Sequence, residues 1–427
     1  MKVRLYLSLL LIIFPLFSLL FAQSQDRWVN LVTIDGPIGP ITSSIIIKAI
    51  EKSVADSAEA LVIELDTPGG LDEPMRDIIT EILNSQVPVI VYVSPAGSRA
   101  ASAGTFITLS AHIAAMAPGT NIGAAHPVFA GAEVDSVMKE KVTNDAAAYI
   151  KSIANKRGRN AEWAERAVRE SISETESDAL KLNVIDLVAD NLRELLDNCN
   201  GRKVPLPSGE KIMDTKGIPM ERINISMRDR ILEVISNPNI AYILYAIGML
   251  GIFFELSNPG AILPGIIGAI FLILAFFAFQ TLPINYAGLL LMILALIFFI
   301  LEIKVTSYGA LTIGGIISML LGSLMLIESP APYMRISLSI IILVVAATAL
   351  FFIFAVGMGI RAQRKKTTTG EKGMIGMTGV ARTKLDPEGS VFVHGEIWKA
   401  VADQSIKKGE KIKVVEIEDL TLKVTKA

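Results

Sequence analysis

Cysteine and histidine are nearly absent from this chain: Cys199 stands alone, and the histidines are His112, His126 and His394. One thiol cannot close a disulfide within the chain, nor supply a cysteine-based metal cluster. Three scattered histidines make no His-rich metal set, and neither a metal nor another cofactor is expected. Excess charge is also lacking, since 40 Lys and Arg stand against 42 Asp and Glu for a formal net charge of -2. The one basic cluster is Arg361-Ala-Gln-Arg-Lys-Lys366. Nucleic-acid binding therefore has no electrostatic support.

Apolar residues are what the chain has in excess. They make up 52% of its 427 residues, and the mean hydropathy is +0.51, above the globular norm. The excess sits at the extreme N-terminus and after about residue 239, so it marks membrane segments rather than a larger core. Lys2 and Arg4 precede an apolar run over 5–21, and Ala22 leads into polar Gln23-Ser24-Gln25. That order predicts a secretory signal over residues 1–25. An uncleaved anchor is the alternative, and both export the segment that follows.

From residue 26 to 197 strand and helix patterns alternate, which predicts a parallel α/β domain. Strands are expected over 29–34, 60–65, 87–93, 113–117 and 183–189. Helices are expected over 40–57, 71–85, 133–155, 161–171 and 173–182. Residues 198–238 are polar and contain proline and glycine, and read as an irregular linker. Five apolar stretches follow within 239–360, at about 240–256, 261–280, 287–301, 311–327 and 336–360. A membrane helix needs about 20 apolar residues, so the count is five spans, or four plus a re-entrant segment. The basic cluster after the last stretch argues for a cytoplasmic exit. Export of the α/β domain followed by five spans gives the same orientation. Residues 361–427 form a separate module whose five short β runs suit a small closed barrel of the OB type.

Chemistry concentrates at strand ends, where open α/β sheets bind ligands. The strand over 87–93 leads into Pro95-Ala-Gly-Ser-Arg-Ala-Ala-Ser-Ala-Gly-Thr-Phe106. Here Ser102 sits at the mouth of a helix among small residues that let a substrate approach. The competing reading is tight strand–helix packing. A serine hydroxyl needs a base, and two follow it, His126 in Ala124-Ala-His-Pro127 and Lys141 in Lys141-Val-Thr-Asn-Asp145. Each has a structural alternative, a turn histidine and a solvated helix lysine. Another strand ends in Asp66-Thr-Pro-Gly-Gly70, whose glycines can bare backbone N–H groups for an oxyanion; the N–H of Ala103 is the natural second donor. Asp66 reads as a helix cap.

These motifs, with Ala101-Ser-Ala-Gly-Thr105, Ala117-Pro-Gly-Thr-Asn-Ile-Gly-Ala-Ala125 and Lys141-Val-Thr-Asn, resemble the NfeD family of membrane-bound serine proteases. The resemblance covers nearly the whole chain. It implies a ClpP/crotonase-like protease domain, a transmembrane helical bundle and a terminal OB-like barrel. It implies a Ser–Lys dyad of Ser102 and Lys141, an oxyanion hole at Gly70 and Ala103, and a non-catalytic Ser98. His126 lies where soluble ClpP proteases place their histidine and stays the alternative base. The implied activity is endopeptidase cleavage of apolar segments in stomatin-like membrane proteins, by a homo-oligomer with its protease domain outside the cytoplasm and its barrel inside. The alternative is a non-catalytic membrane scaffold that binds a stomatin-like partner.

Overall fold

The computed structural model describes residues 27–128, 135–258, 260, 262–280, 282–305, 307–329, 334–364 and 371–427. The expected signal over 1–25 lies outside the described residues.

The α/β domain is organised on a six-stranded sheet in the order β11-β1-β2-β3-β5-β8. Its strands are β1 (Val29–Asp35), β2 (Ala60–Asp66), β3 (Val89–Val93), β5 (Ile113–Met116), β8 (Leu187–Val188) and β11 (Met220–Arg222). All neighbours run parallel. Alternation along each strand feeds two cores. Leu61, Ile63 and Leu65 of β2 join one core with Ile46, Ile78, Ile107 and Ile150. Val62 joins the other with Leu195, Leu196 and Cys199. The intervening helices are α1 (Pro40–Ala55), α2 (Asp72–Asn84), α3 (Ala103–Ser110), α4 (Ser136–Arg157), α5 (Ala161–Arg169), α6 (Glu176–Lys181) and α7 (Leu192–Cys199). Buried Met75, Ile78, Ile79 and Ile82 repeat at helical spacing along α2, which places that stripe on the sheet.

A second sheet is built from β4 (Arg99–Ala101), β6 (Asn121–Gly123) and β7 (Ser173–Thr175). The sequence reading missed it and extended a helix over 173–182. Ser173–Thr175 is strand, and Thr175 then caps α6 by accepting the Asp178 N–H.

The expected irregular linker is also corrected. Residues 198–238 hold the hairpin of β9 (Lys203–Leu206) and β10 (Gly209–Ile212), then β11, then α8 (Met227–Ile235). β11 extends the main sheet, pairing Val29 with Met220. Lys48 of α1 meets Asp229 of α8 at 2.9 Å. This stretch packs onto the α/β domain rather than hanging between domains.

Five apolar helices follow: α9 (Pro238–Ser257), α10 (Ile262–Phe279), α11 (Tyr286–Lys304), α12 (Ala310–Met325) and α13 (Leu338–Arg364). Among the described residues the first three are long and apolar enough to cross a membrane, and the last two contribute shorter apolar stretches. Small residues set the packing distance: a Cβ on Gly268 would stand 2.8 Å from the Gly248 carbonyl oxygen, so α9 and α10 meet backbone to backbone. A bond of 2.8 Å between Tyr242 Oη and Ser323 Oγ ties α9 to α12.

The C-terminal module is a closed five-stranded barrel of β12 (Thr378–Ala381), β13 (Glu388–Val393), β14 (Glu396–Val401), β15 (Lys411–Glu418) and β16 (Thr421–Lys426), in the order β12-β13-β14-β16-β15. Val391, Val393, Ile412, Val414, Leu422 and Val424 fill its interior.

Candidate active site

Ser102 is the hinge between β4 and α3. It caps α3 with φ 52° and ψ -115°, and its side chain makes no capping bond. A positive φ with this ψ at a residue with a Cβ costs about 1–3 kcal/mol and persists only where neighbours enforce it. Here the enforcement is visible. The Ser102 N–H donates to the Gly123 carbonyl at 3.0 Å, and Ala101 N–H donates to the Thr67 carbonyl at 3.1 Å. Thr105 Oγ1 lies 2.9 Å from the carbonyl oxygens of both Ala100 and Gly123. The missed second sheet thus aims the serine: β4 pairs with β6 through Ala101 and Gly123. Ser102 is half-buried at the N-terminus of α3, where helix N–H groups favour negative charge.

The Gly69-Gly70 turn meets this loop from β2. Thr67 N–H donates to the Arg99 carbonyl at 2.8 Å. The Thr67 hydroxyl lies 3.1 Å from both the N and the O of Gly69. Ile38 N–H donates to Gly69, and Leu71 N–H donates to Ile38. A Cβ on Gly70 would lie 2.1 Å from the Ile38 carbonyl oxygen, so only glycine fits. The N–H groups of Gly70 and Ala103 have no acceptor among the described residues. Both residues line one cavity of about 500 Å³ together with Ser102 and Lys141.

Lys141 enters from α4. It is exposed, and among the described residues its Nζ has no ion-pair or hydrogen-bond partner. Ser102 Oγ is likewise unpartnered, so the two groups share a cavity without bonding each other. His126 stands differently. Its Nδ1 lies 2.9 Å from the Val168 carbonyl oxygen, and it is not among the residues lining the cavity. Ser98 is buried and does not line it either. Asp66 is not a helix cap: its carboxylate accepts the Arg99 N–H at 3.0 Å and clips β4 to the end of β2.

The sequence reading gave no role to one wall of the cavity. Arg76 binds Asp72 at 2.8 Å and Asp145 at 2.6 Å. Its guanidinium lies 4.4 Å over the Tyr149 ring, which stacks on Phe106. Burial works against the Arg76 charge, but bonds to the two carboxylates outweigh it and hold its pKa above the ordinary value. Burial pushes the Tyr149 phenol up, against the pull of Arg76. The signal for this wall was the spacing of Lys141, Asp145 and Tyr149, which puts all three on one face of α4. Met75, Phe106, Met138 and Val142 make the rest of the lining apolar. Ser329 and Met334, between α12 and α13, also reach it.

Three family models match the chain in order. They are the NfeD1b N-terminal domain over 28–199, the NfeD integral membrane domain over 239–357 and the NfeD-like C-terminal, partner-binding domain over 371–426. The membrane-bound protease PH1510 of Pyrococcus horikoshii is 38% identical over 99% of this chain and 98% of its own length. Membrane protein NfeD1b of Bacillus subtilis is 27% identical over 93% and 92% of the two chains. Among solved structures, the 1510-N membrane-bound stomatin-specific protease, as a lysine-to-alanine mutant with a substrate peptide, is 38% identical. It covers 48% of this chain and 96% of its own, with a TM-score of 0.46. With three domain models in register and a relative matched almost end to end, the chain belongs to the NfeD family of membrane proteins.

Proposed function

We propose that this protein is a membrane-anchored serine endopeptidase that cleaves apolar segments of a stomatin-like partner. Ser102 is the nucleophile, Lys141 the general base, and Gly70 and Ala103 form the oxyanion hole. The observation that carries the reading is the single cavity lined by all four residues. The Pyrococcus relative is named a protease, and a lysine variant of the related stomatin-specific protease holds a substrate peptide.

The neutral amine of Lys141 takes the proton from Ser102 Oγ as that oxygen attacks the peptide carbonyl carbon. The N–H groups of Gly70 and Ala103 receive the resulting oxyanion. Lys141 returns the proton to the leaving amine, and the C–N bond breaks to leave an acyl-serine. Lys141 then takes a proton from water as the water oxygen attacks the acyl carbon, and gives it to Ser102 Oγ as the acyl–oxygen bond breaks, which frees the acid and restores the serine. A lysine base works in its neutral form, which a water-poor surrounding favours. Lys141 is exposed in the free protein, so the apolar substrate itself completes that surrounding. Lys141 is favoured over His126 as the base because Lys141 lines the cavity with Ser102 and His126 does not.

The main sheet, with the nucleophile leading into a helix and glycine N–H groups from a neighbouring strand end, supports a ClpP/crotonase-like domain. The order and closure of the C-terminal barrel support an OB-type module that docks the partner. The basic cluster at 361–366 supports a cytoplasmic barrel and an external protease domain.

The test is hydrolysis of an apolar peptide by the full-length protein and by Ser102→Ala. The expected loss is about 10³-fold or more with an unchanged melting curve. Undiminished cleavage by a folded Ser102→Ala protein overturns the reading.

A further inference from the structure

A second cavity of about 600 Å³ lies beside the catalytic one. Its lining is mainly apolar, with Asp35, Glu233, Asn237 and Arg335 among it, and comes from both sides of the junction between the α/β domain and the helical bundle. Ile38, Ile41 and Leu71 belong to the former, and Ile240, Leu282 and Met334 to the latter. Leu71 and Met334 line both cavities. Leu71 directly follows Gly70, the proposed oxyanion donor, so the two spaces adjoin at the reacting carbonyl. On the bundle side the wall is held by its own bond, from Arg335 Nε to the Ser329 carbonyl. The start of the last helix is tied to the first, with Ser337 N–H donating to Asn239 at 2.8 Å. Each volume falls in the range of ligand-binding pockets.

We propose that the membrane-facing cavity is a continuation of the substrate cleft. An apolar flank of the substrate peptide passes Leu71 and Met334 and is buried there, which makes Met334 a specificity-determining residue contributed by the membrane domain. The inference rests on the reading of Ser102 as nucleophile. The occupant follows from the lining and the continuity: an extended chain that presents its carbonyl to Gly70 meets Leu71 next. The facing Ile38, Ile41, Leu71, Ile240 and Leu282 reward an apolar flank by removing it from water.

The test uses the full-length protein in detergent with two peptides that share one cleavage site. One ends close to the scissile bond on both sides, and the other carries leucine-rich extensions. Burying one leucine-sized side chain changes affinity by roughly tenfold or more. The extended peptide should therefore be cleaved with at least about tenfold higher kcat/KM. Met334→Trp, which fills the junction, should remove that advantage, read as the ratio of the two peptides' kcat/KM within the same variant falling to about one. Equal kcat/KM for both peptides in the unaltered protein overturns the inference, and this comparison needs no variant to fold. So does an extension advantage that survives Met334→Trp. Loss of this inference alone leaves cleavage of the short peptide dependent on Ser102. Cleavage that persists in Ser102→Ala instead overturns the nucleophile assignment and this inference with it.

Discussion

The backbone N–H of Ser102 donates to the carbonyl of Gly123 at 3.0 Å, and this bond couples the Ser102 loop to the second sheet. Gly123 itself has φ +139°, and a Cβ there would lie 2.3 Å from the Ile172 carbonyl oxygen. Gly123→Ala is therefore doubly penalised, by conformation and by collision. The expected outcome is a loss of roughly 3 kcal/mol or more of stability. Peptide cleavage should fall even at temperatures where the variant stays folded. Melting curves and cleavage rates on the same preparation check both. A variant with unaltered melting and rate contradicts the role given to this bond.

Gly70 is at least as crowded, so its substitution should also cost stability, and kinetics are read on the folded protein. Its Cβ would strike the Ile38 carbonyl, and relief of that contact must shift the Gly70 backbone or Ile38. Gly70→Ala should lower kcat by about 10²–10³-fold, the usual effect of losing one oxyanion donor, with a smaller effect on KM. Steady-state kinetics read the split. A change confined to KM would place Gly70 in substrate binding rather than in the oxyanion hole.

Much of this was legible in the chain. Apolar runs announced β1, β2, β3 and β5 because their residues are buried on both faces of a parallel sheet. The glycine pair and the small-residue loop marked the candidate site because they sit at strand ends. The strands β4, β6 and β7 were not legible: each is three residues long, too short for a period-2 pattern. β11 escaped because its residues are exposed, so it carries no burial signature. The neighbourhood of Leu71 and Met334 has no local signal at all, since it is made by tertiary packing. Asp145 and Tyr149 sat at helical spacing from Lys141, but their ties to Arg76 needed coordinates.

Acid stability should follow His112. Its Nδ1 accepts the Val89 N–H at 3.2 Å. Burial, with Arg157, Arg159 and Lys156 around it, pushes its pKa down from 6.5 to about 3. The folded protein thus holds a neutral imidazole where the unfolded chain binds a proton. Stability contributed by this group is whole above about pH 6.5 and falls as pH drops toward about 3, by at most ~1.4 kcal/mol per pH unit. His112→Asn keeps an acceptor for Val89 and removes the titration, so its melting temperature should depend less on pH across this window. Identical pH dependence in both proteins would contradict the assignment.

The most direct measurement of the central claim is the site of covalent modification by a serine-directed electrophile, read by mass spectrometry of the full-length protein. An activated Ser102 predicts one adduct, on the peptide that contains Ser102, lost in Lys141→Ala and retained in His126→Ala. An adduct at another serine, or labelling of Ser102 that survives Lys141→Ala and disappears in His126→Ala, would contradict the Ser102–Lys141 assignment.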